Sequence, residues 1–77
     1  MNNKYEIEKL IKDICVANKN NGLSNVELKI FNCSCFGCIN VDVNNNVSLF
    51  FGEDIYSLTE LNNDDLLEIY KKLNDYF

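Results

Sequence analysis

The sequence predicts one α+β domain over residues 1–77, in which a three-stranded antiparallel meander packs against two helices in the order α-β-β-β-α. Three observations support this fold class. Apolar residues recur at helical spacing near both ends of the chain, they alternate with polar residues in the middle, and stretches rich in asparagine and glycine separate these segments. A chain of this length forms one small core, so an enclosed active site is not expected.

The first helix is predicted at about residues 3–19. Asn3 and Glu6 have the spacing of a capping box, with asparagine in the place of serine or threonine. The stretch N-K-N-N-G at 18–22 is typical of a helix end, because Gly22 tolerates the left-handed conformation. One apolar stripe is expected on this helix, formed by Ile7, Leu10, Ile11, Ile14 and Cys15.

Three strands follow, each with apolar residues at every second position. The apolar positions are Val26, Leu28 and Ile30 in the first strand, Ile39, Val41 and Val43 in the second, and Val47, Leu49 and Phe51 in the third. A three-residue loop at 44–46 would pair Val43 with Val47 and place the apolar residues of both strands on one face. Pairing Ile30 with Ile39 places C-S-C-F-G-C, residues 33–38, at the tip of the first hairpin.

A connector at 52–61 leads to the second helix, predicted at about residues 62–76. Asn62 is suited to the N-cap, and Asp64 and Asp65 lie in the first turn, where negative charge favours the helix dipole. Leu61 and Leu66 have the spacing of a hydrophobic staple. The buried stripe is expected at Leu66, Ile69, Tyr70, Leu73 and Phe77.

The cysteines allow three interpretations, which are a metal site, a redox pair and a purely structural role. The chain has four cysteines and no histidine, so a tetrahedral zinc site would need Cys33, Cys35 and Cys38 together with Cys15, or a ligand from elsewhere. A redox pair of the thioredoxin type opens a helix, whereas Cys38 is predicted to open a strand. We therefore interpret the cysteines as small apolar or hairpin-loop residues and expect no cofactor.

Enzymatic chemistry is not expected from this sequence. Cysteine attack usually needs histidine or another nearby base, and the four serines have no recognisable base partner. No glycine-rich phosphate loop or calcium loop is present. The N-terminus carries charges throughout and has no apolar run of signal-peptide length, so the prediction is a cytoplasmic protein that is not associated with a membrane.

Charge is distributed unevenly along the chain, whose net charge is −5. All seven basic residues are lysines at positions 4–29 or 71–72. Direct binding to nucleic acid is disfavoured, and a basic protein partner is favoured. One negative surface is expected from the seven acids within residues 30–70, which are Asp42, Glu53, Asp54, Glu60, Asp64, Asp65 and Glu68.

Aromatic residues add to this surface. Phe31 and Phe50 are predicted on the sheet face opposite the Val/Ile/Leu face, with Phe36 at the hairpin tip and Tyr56 beside them. Exposed aromatics near acids favour a protein-binding surface, or a homodimer formed through this face. The candidate partner-binding residues are Phe36, Asp42, Phe50, Glu53, Asp54, Tyr56, Glu60, Asp64 and Asp65.

Over its whole length, this short, acidic chain of helix, three strands and helix resembles small phage-encoded inhibitors of host defence, including anti-CRISPR proteins. The resemblance implies a partner that is a nuclease or another nucleic-acid-binding protein. It also implies that carboxylates occupy the partner's phosphate-binding channel, with Glu53, Asp54, Asp64 and Asp65 as the candidates. Two other functions remain open, a zinc-binding adaptor that uses the C-S-C-F-G-C tip and a self-associating structural domain.

Overall fold

The structure, a computed structural model, describes residues 3–29 and 36–77. The predicted α+β fold and its order α-β-β-β-α are confirmed. Two 3-10 turns at Leu23–Asn25 and Leu58–Glu60 precede the sheet and the second helix, respectively. The elements are α1 (Lys4–Ala17), β1 (Gly37–Val41), β2 (Val47–Phe51), β3 (Asp54–Ser57) and α2 (Asn63–Tyr76).

Helix α1 begins where the sequence predicts. The side chain of Asn3 accepts a hydrogen bond from the Tyr5 N–H at 2.8 Å, which satisfies one of the unpaired donors of the first turn. The buried stripe is narrower than predicted. Leu10 is 47% exposed, because it lies about 100° around the helix from the fully buried Ile11.

Helix α2 also begins as predicted. The Asn62 side chain accepts a hydrogen bond from the Asp65 N–H at 2.9 Å. Leu66, Ile69 and Leu73 are completely buried, whereas Phe77, at the end of the predicted stripe, is 44% exposed. The amphipathic pattern therefore identified the face of α2 that packs on the core.

The strands differ from the prediction at both ends of the sheet. The second and third predicted strands are β1 and β2, and the third strand of the sheet comes from the predicted connector. The cause is a two-residue turn at Gly52 and Glu53. Gly52 has φ +63°, which is typical of the first central position of a type II′ hairpin turn, and it allows Asp54 to pair with Phe51.

The predicted first strand contributes one isolated bridge in the described residues. Leu28 pairs with Gly37, and the two backbone bonds between them measure 3.0 and 2.8 Å. The sequence pairing instead placed Leu28 opposite Val41. Ile30, the predicted partner of Ile39, and half of the C-S-C-F-G-C tip, residues 33–35, fall outside the described residues.

The β1–β2 register is shifted by two residues from the prediction. Val41 pairs with Val47 and Ile39 with Leu49, so the loop contains five residues, 42–46, and Val43 is 94% exposed. Because the shift is even, the paired side chains keep the faces that the sequence predicted.

The side chain of Asp42 favours the longer loop. Its Oδ1 accepts hydrogen bonds from the N–H groups of Asn44 and Asn46 at 2.8 and 2.9 Å, and Asn45 adopts φ +63°. Such an Asx turn satisfies loop donors that a three-residue connection would arrange differently.

Both helices pack on one face of the sheet, which we call the inner face, and form a single core with it. The inner-face residues in this core are Ile39, Val47, Leu49 and Phe51. Within the described residues, neither α1 nor α2 has the length and apolar character that a membrane-spanning helix needs.

Candidate partner-binding surface

The outer face of the sheet points away from both helices. Strand pairing places its side chains in two rows across the three strands. Cys38 and Ile55 are exposed, Ile55 to 61%, and Phe50 between them is half-buried. None of the side chains in these two rows is charged. The first row is Cys38–Phe50–Ile55, and the second is Asn40–Ser48–Ser57.

The predicted aromatic residues divide between the two faces. Phe50 lies on the outer face as predicted, and Phe36, just before β1, is 62% exposed. Tyr56 does not join them, because it pairs with Leu49 on the inner face and contacts the ring of Phe51 edge to face, with 6.1 Å between ring centroids. Phe31 lies outside the described residues.

Ile55 is the member of the first row that the sequence analysis missed. It was assigned to a connector, because the run after Phe51 contains acids and lacks strict alternation. The signal was present in Gly52, which allows a two-residue hairpin turn, followed by the β-favouring pair Ile55 and Tyr56.

The structure divides the predicted negative surface between the two ends of the sheet. Glu53 and Asp54 are exposed at the β2–β3 turn. Glu53 lies in the turn, at the end of the row that contains Ile55, whereas Asp54 pairs with Phe51 and so lies on the inner-face side of the same end. Asp42 and Glu60 lie at the opposite end, about 13 Å away along the strands at 3.3 Å per residue. These four acids therefore lie at the two ends of the sheet, and the rows of the outer face run between them.

The acids at the far end support the local structure. The hydrogen bond from the Asn46 N–H, together with that from Asn44, lowers the pKa of Asp42. Glu60 Oε2 accepts the Ser57 N–H at 2.7 Å and forms a capping box there. Lysines also bind at this end, since Lys4 donates to the Thr59 carbonyl at 2.8 Å and Lys19 to Asn45 at 3.3 Å.

Glu53 and Asp54 differ from these acids. Their side chains accept no hydrogen bond from any residue within 3–29 and 36–77. Asp64 and Asp65 lie in the first turn of α2, where they favour the helix start. Among the predicted carboxylates, Glu53 and Asp54 are thus the pair at the end of the sheet where the apolar row lies, and neither is held by a hydrogen bond within the described residues.

Cys15 and Cys38 lie on opposite sides of the sheet. Cys15 is completely buried in the core, and this burial raises the pKa of its thiol to about 12. Cys38 is exposed on the outer face. The predicted four-cysteine zinc site would have to join a residue of the core to a residue of the outer face, and it stays a prediction. Cys33 and Cys35 lie outside the described residues, so a site formed by the hairpin tip stays a prediction.

We expect the two described thiols to differ strongly in reactivity. At pH 8, iodoacetamide should alkylate Cys38 and leave Cys15 unmodified, because the thiolate is the nucleophile and Cys15 is both buried and protonated. Peptide mass mapping after timed quenching measures each site separately. Alkylation in 6 M guanidinium is the control, and there both should react; native labelling of Cys15 as fast as Cys38 would contradict the placement of α1.

A groove of about 670 Å³ runs between α1 and the strand ends near Ser48 and Ser57. Lys9 and Lys12 line it together with Glu8 and Asp13, so opposite charges are mixed along its walls. It therefore offers no charge selectivity comparable to that of the β2–β3 turn. The remaining lining residues are Tyr5, Asn46, Val47, Leu58 and Thr59.

No protein family, curated protein or solved structure matches this chain.

Proposed function

We propose that this protein is a non-enzymatic binding module whose outer face docks a basic protein and blocks it, in the manner of anti-CRISPR inhibitors. The observation that carries the proposal is the apolar row Cys38–Phe50–Ile55 on the outer face, which ends at the acidic β2–β3 turn where Glu53 and Asp54 are exposed. The partner class we propose is a nuclease or another nucleic-acid-binding protein.

The apolar row has the character of an interface centre. Charged residues are depleted at the centres of protein interfaces, aromatic residues are enriched there, and polar residues form the rim. The outer face follows this arrangement, with Phe50 at the middle strand and Phe36 exposed at one side. Removing the exposed Ile55 and Cys38 side chains from water would favour binding.

The acids provide the charge preference. A net charge of −5 steers the chain toward positive surfaces, and the effect weakens as salt screens it. Nucleic-acid-binding proteins display lysine and arginine that neutralise phosphates. The carboxylates of Glu53 and Asp54, exposed at the β2–β3 turn, would meet such side chains at the rim of the interface, where charge-assisted hydrogen bonds strengthen the attraction.

The test is capture from a lysate of the source organism with the immobilised wild-type chain and the double variant Glu53→Ser/Asp54→Ser. We expect the wild type to retain a basic, nucleic-acid-binding protein, and the double variant to lose it at least tenfold, since two charged contacts each contribute about 1 kcal/mol or more. Quantitative mass spectrometry of the eluates measures the loss, and retention should fall steeply as salt is raised.

A matched control separates the site from net charge. Asp13→Ser/Asp75→Ser removes the same two charges from exposed positions on the helices and should retain the partner. The proposal is contradicted if this control loses the partner equally, or if Glu53→Ser/Asp54→Ser retains it. Adding Asp64→Ser and Asp65→Ser then shows whether the start of α2 belongs to the same surface.

A further inference from the structure

We propose that the open edge of β3 accepts an extended basic segment of the partner as a fourth strand of the sheet. The inference rests on the proposed function and specifies how the partner is held. Within residues 3–29 and 36–77, strand β3 is at the edge because the sheet order is β1-β2-β3. An open edge displays backbone donors and acceptors that a further strand can pair with.

The hydrogen-bond pattern fixes which backbone groups face this edge. Gly37 exchanges both of its bonds with Leu28, so its groups point away from β2. In an antiparallel ladder such pairs alternate, and therefore Cys38 and Phe50 exchange bonds with each other. The N–H and C=O of Phe50 point toward β1, so those of its other neighbour, Ile55, point outward to the edge.

A second contact supports the same alternation. The Ser57 N–H donates to the side chain of Glu60 at 2.7 Å and so does not bond to β2. Ser57 and Ile55 lie two residues apart and share one orientation. Glu60 therefore satisfies the edge donor at Ser57, and Ile55 is left as the position in β3 whose N–H and C=O offer two new bonds to an added strand.

Charge favours a basic strand as the occupant. Glu53 and Asp54 lie at one end of the edge and Glu60 at the other, so negative charge flanks Ile55 on both sides. A second copy is disfavoured, because antiparallel pairing centred on Ile55 places Glu53 opposite Ser57 of the other copy, whose N–H already holds Glu60. In that arrangement the carboxylate of Glu53 in each copy faces the carboxylate of Glu60 in the other copy, so like charges meet at two places.

The experiment uses the full chain and a defined probe, the peptide acetyl-Lys-Val-Lys-Val-Lys-Val-amide. Nuclear magnetic resonance of the ¹⁵N-labelled protein should show that the peptide shifts the Ile55 amide resonance and slows its hydrogen exchange. The glutamate analogue of the peptide should produce neither effect. An unchanged Ile55 amide, or equal binding of the glutamate peptide, would overturn the inference.

Two variants test the edge itself. Ile55→Pro removes the outward donor without touching the β2–β3 ladder bonds and should weaken peptide binding by about fivefold or more. Ile55→Lys places a like charge on an exposed position and should abolish binding while the chain stays folded. Ile55→Val is the conservative control. If Ile55→Lys binds the peptide as tightly as wild type does, the proposal is contradicted.

The two proposals fail in different ways. If the captured partner is lost from Glu53→Ser/Asp54→Ser but binds Ile55→Pro as well as it binds wild type, the docking function stands and strand addition is wrong. If the Ile55 amide is protected without peptide and sedimentation shows a dimer, the edge pairs with a second copy and the basic strand is wrong. Loss of both partner and peptide from Ile55→Pro, with both retained by Ile55→Val, supports the inference.

Discussion

Replacing Ile39 with alanine is expected to lower the free energy of unfolding by about 2–5 kcal/mol. Ile39 is 2% exposed and is the central residue of β1, where it pairs with Leu49 on the inner face. The loss combines the transfer of the removed methyl groups with the cavity left between the sheet and the helices. For a domain with a stability of about 5–15 kcal/mol, this is a large fraction of the total.

Ile55→Ala is the matched control, because it removes the same atoms from the opposite face. Ile55 is 61% exposed, so we expect a change within about 0.5 kcal/mol. Urea denaturation followed by circular dichroism measures both variants against wild type. Equal destabilisation by the two changes would show that the outer face is covered, which would remove the basis for the docking surface.

Gly37→Ala is expected to destabilise the fold by about 1–3 kcal/mol through overpacking. Gly37 is paired with Phe51, and a Cβ on Gly37 would overlap Cε1 and Cζ of the Phe51 ring. The ring is 5% exposed and contacts Tyr56, so it has little room to move within the core. Thermal or urea unfolding measures the cost.

A second substitution tests the cause of that cost. Leucine at position 51 lacks the ring atoms that the new Cβ would meet, so Phe51→Leu should offset part of the Gly37→Ala effect in a double-mutant cycle. A positive coupling free energy is expected. Strict additivity of the two changes would show that Gly37 is required for another reason.

The glycine also explains part of C-S-C-F-G-C. Within this stretch, Gly37 lets β1 approach the Phe51 ring, and the next residue, Cys38, points to the outer face. Gly37 therefore has a packing role within this stretch, and Cys38 is exposed.

Local chemistry made several elements predictable. Asn3 and Asn62 satisfy helix N–H groups through their own side chains, so both helix starts could be identified from neighbouring residues. The two-residue periodicity of Ile39, Val47 and Leu49 also identified the inner face correctly, because side chains alternate in any extended strand.

Tertiary structure decided which strands pair and in which register, because the local pattern is compatible with more than one pairing. Val26 and Leu28 alternate like a strand and are buried, yet only Leu28 forms a bridge, because the alternation reports burial and does not name a partner strand. The β1–β2 loop is longer than predicted, since an even shift keeps every face and the hydrogen bonds of Asp42 decide between the registers.

The candidate site shows the same division. Composition and order along the chain determined that this protein is acidic, has its lysines outside residues 30–70 and forms two helices and a three-stranded sheet. The fold decided which acids adjoin an apolar surface, by turning the chain at Gly52 and so bringing Ile55 beside Phe50. Pairing between strands sets such neighbours, and it depends on contacts that no single segment contains.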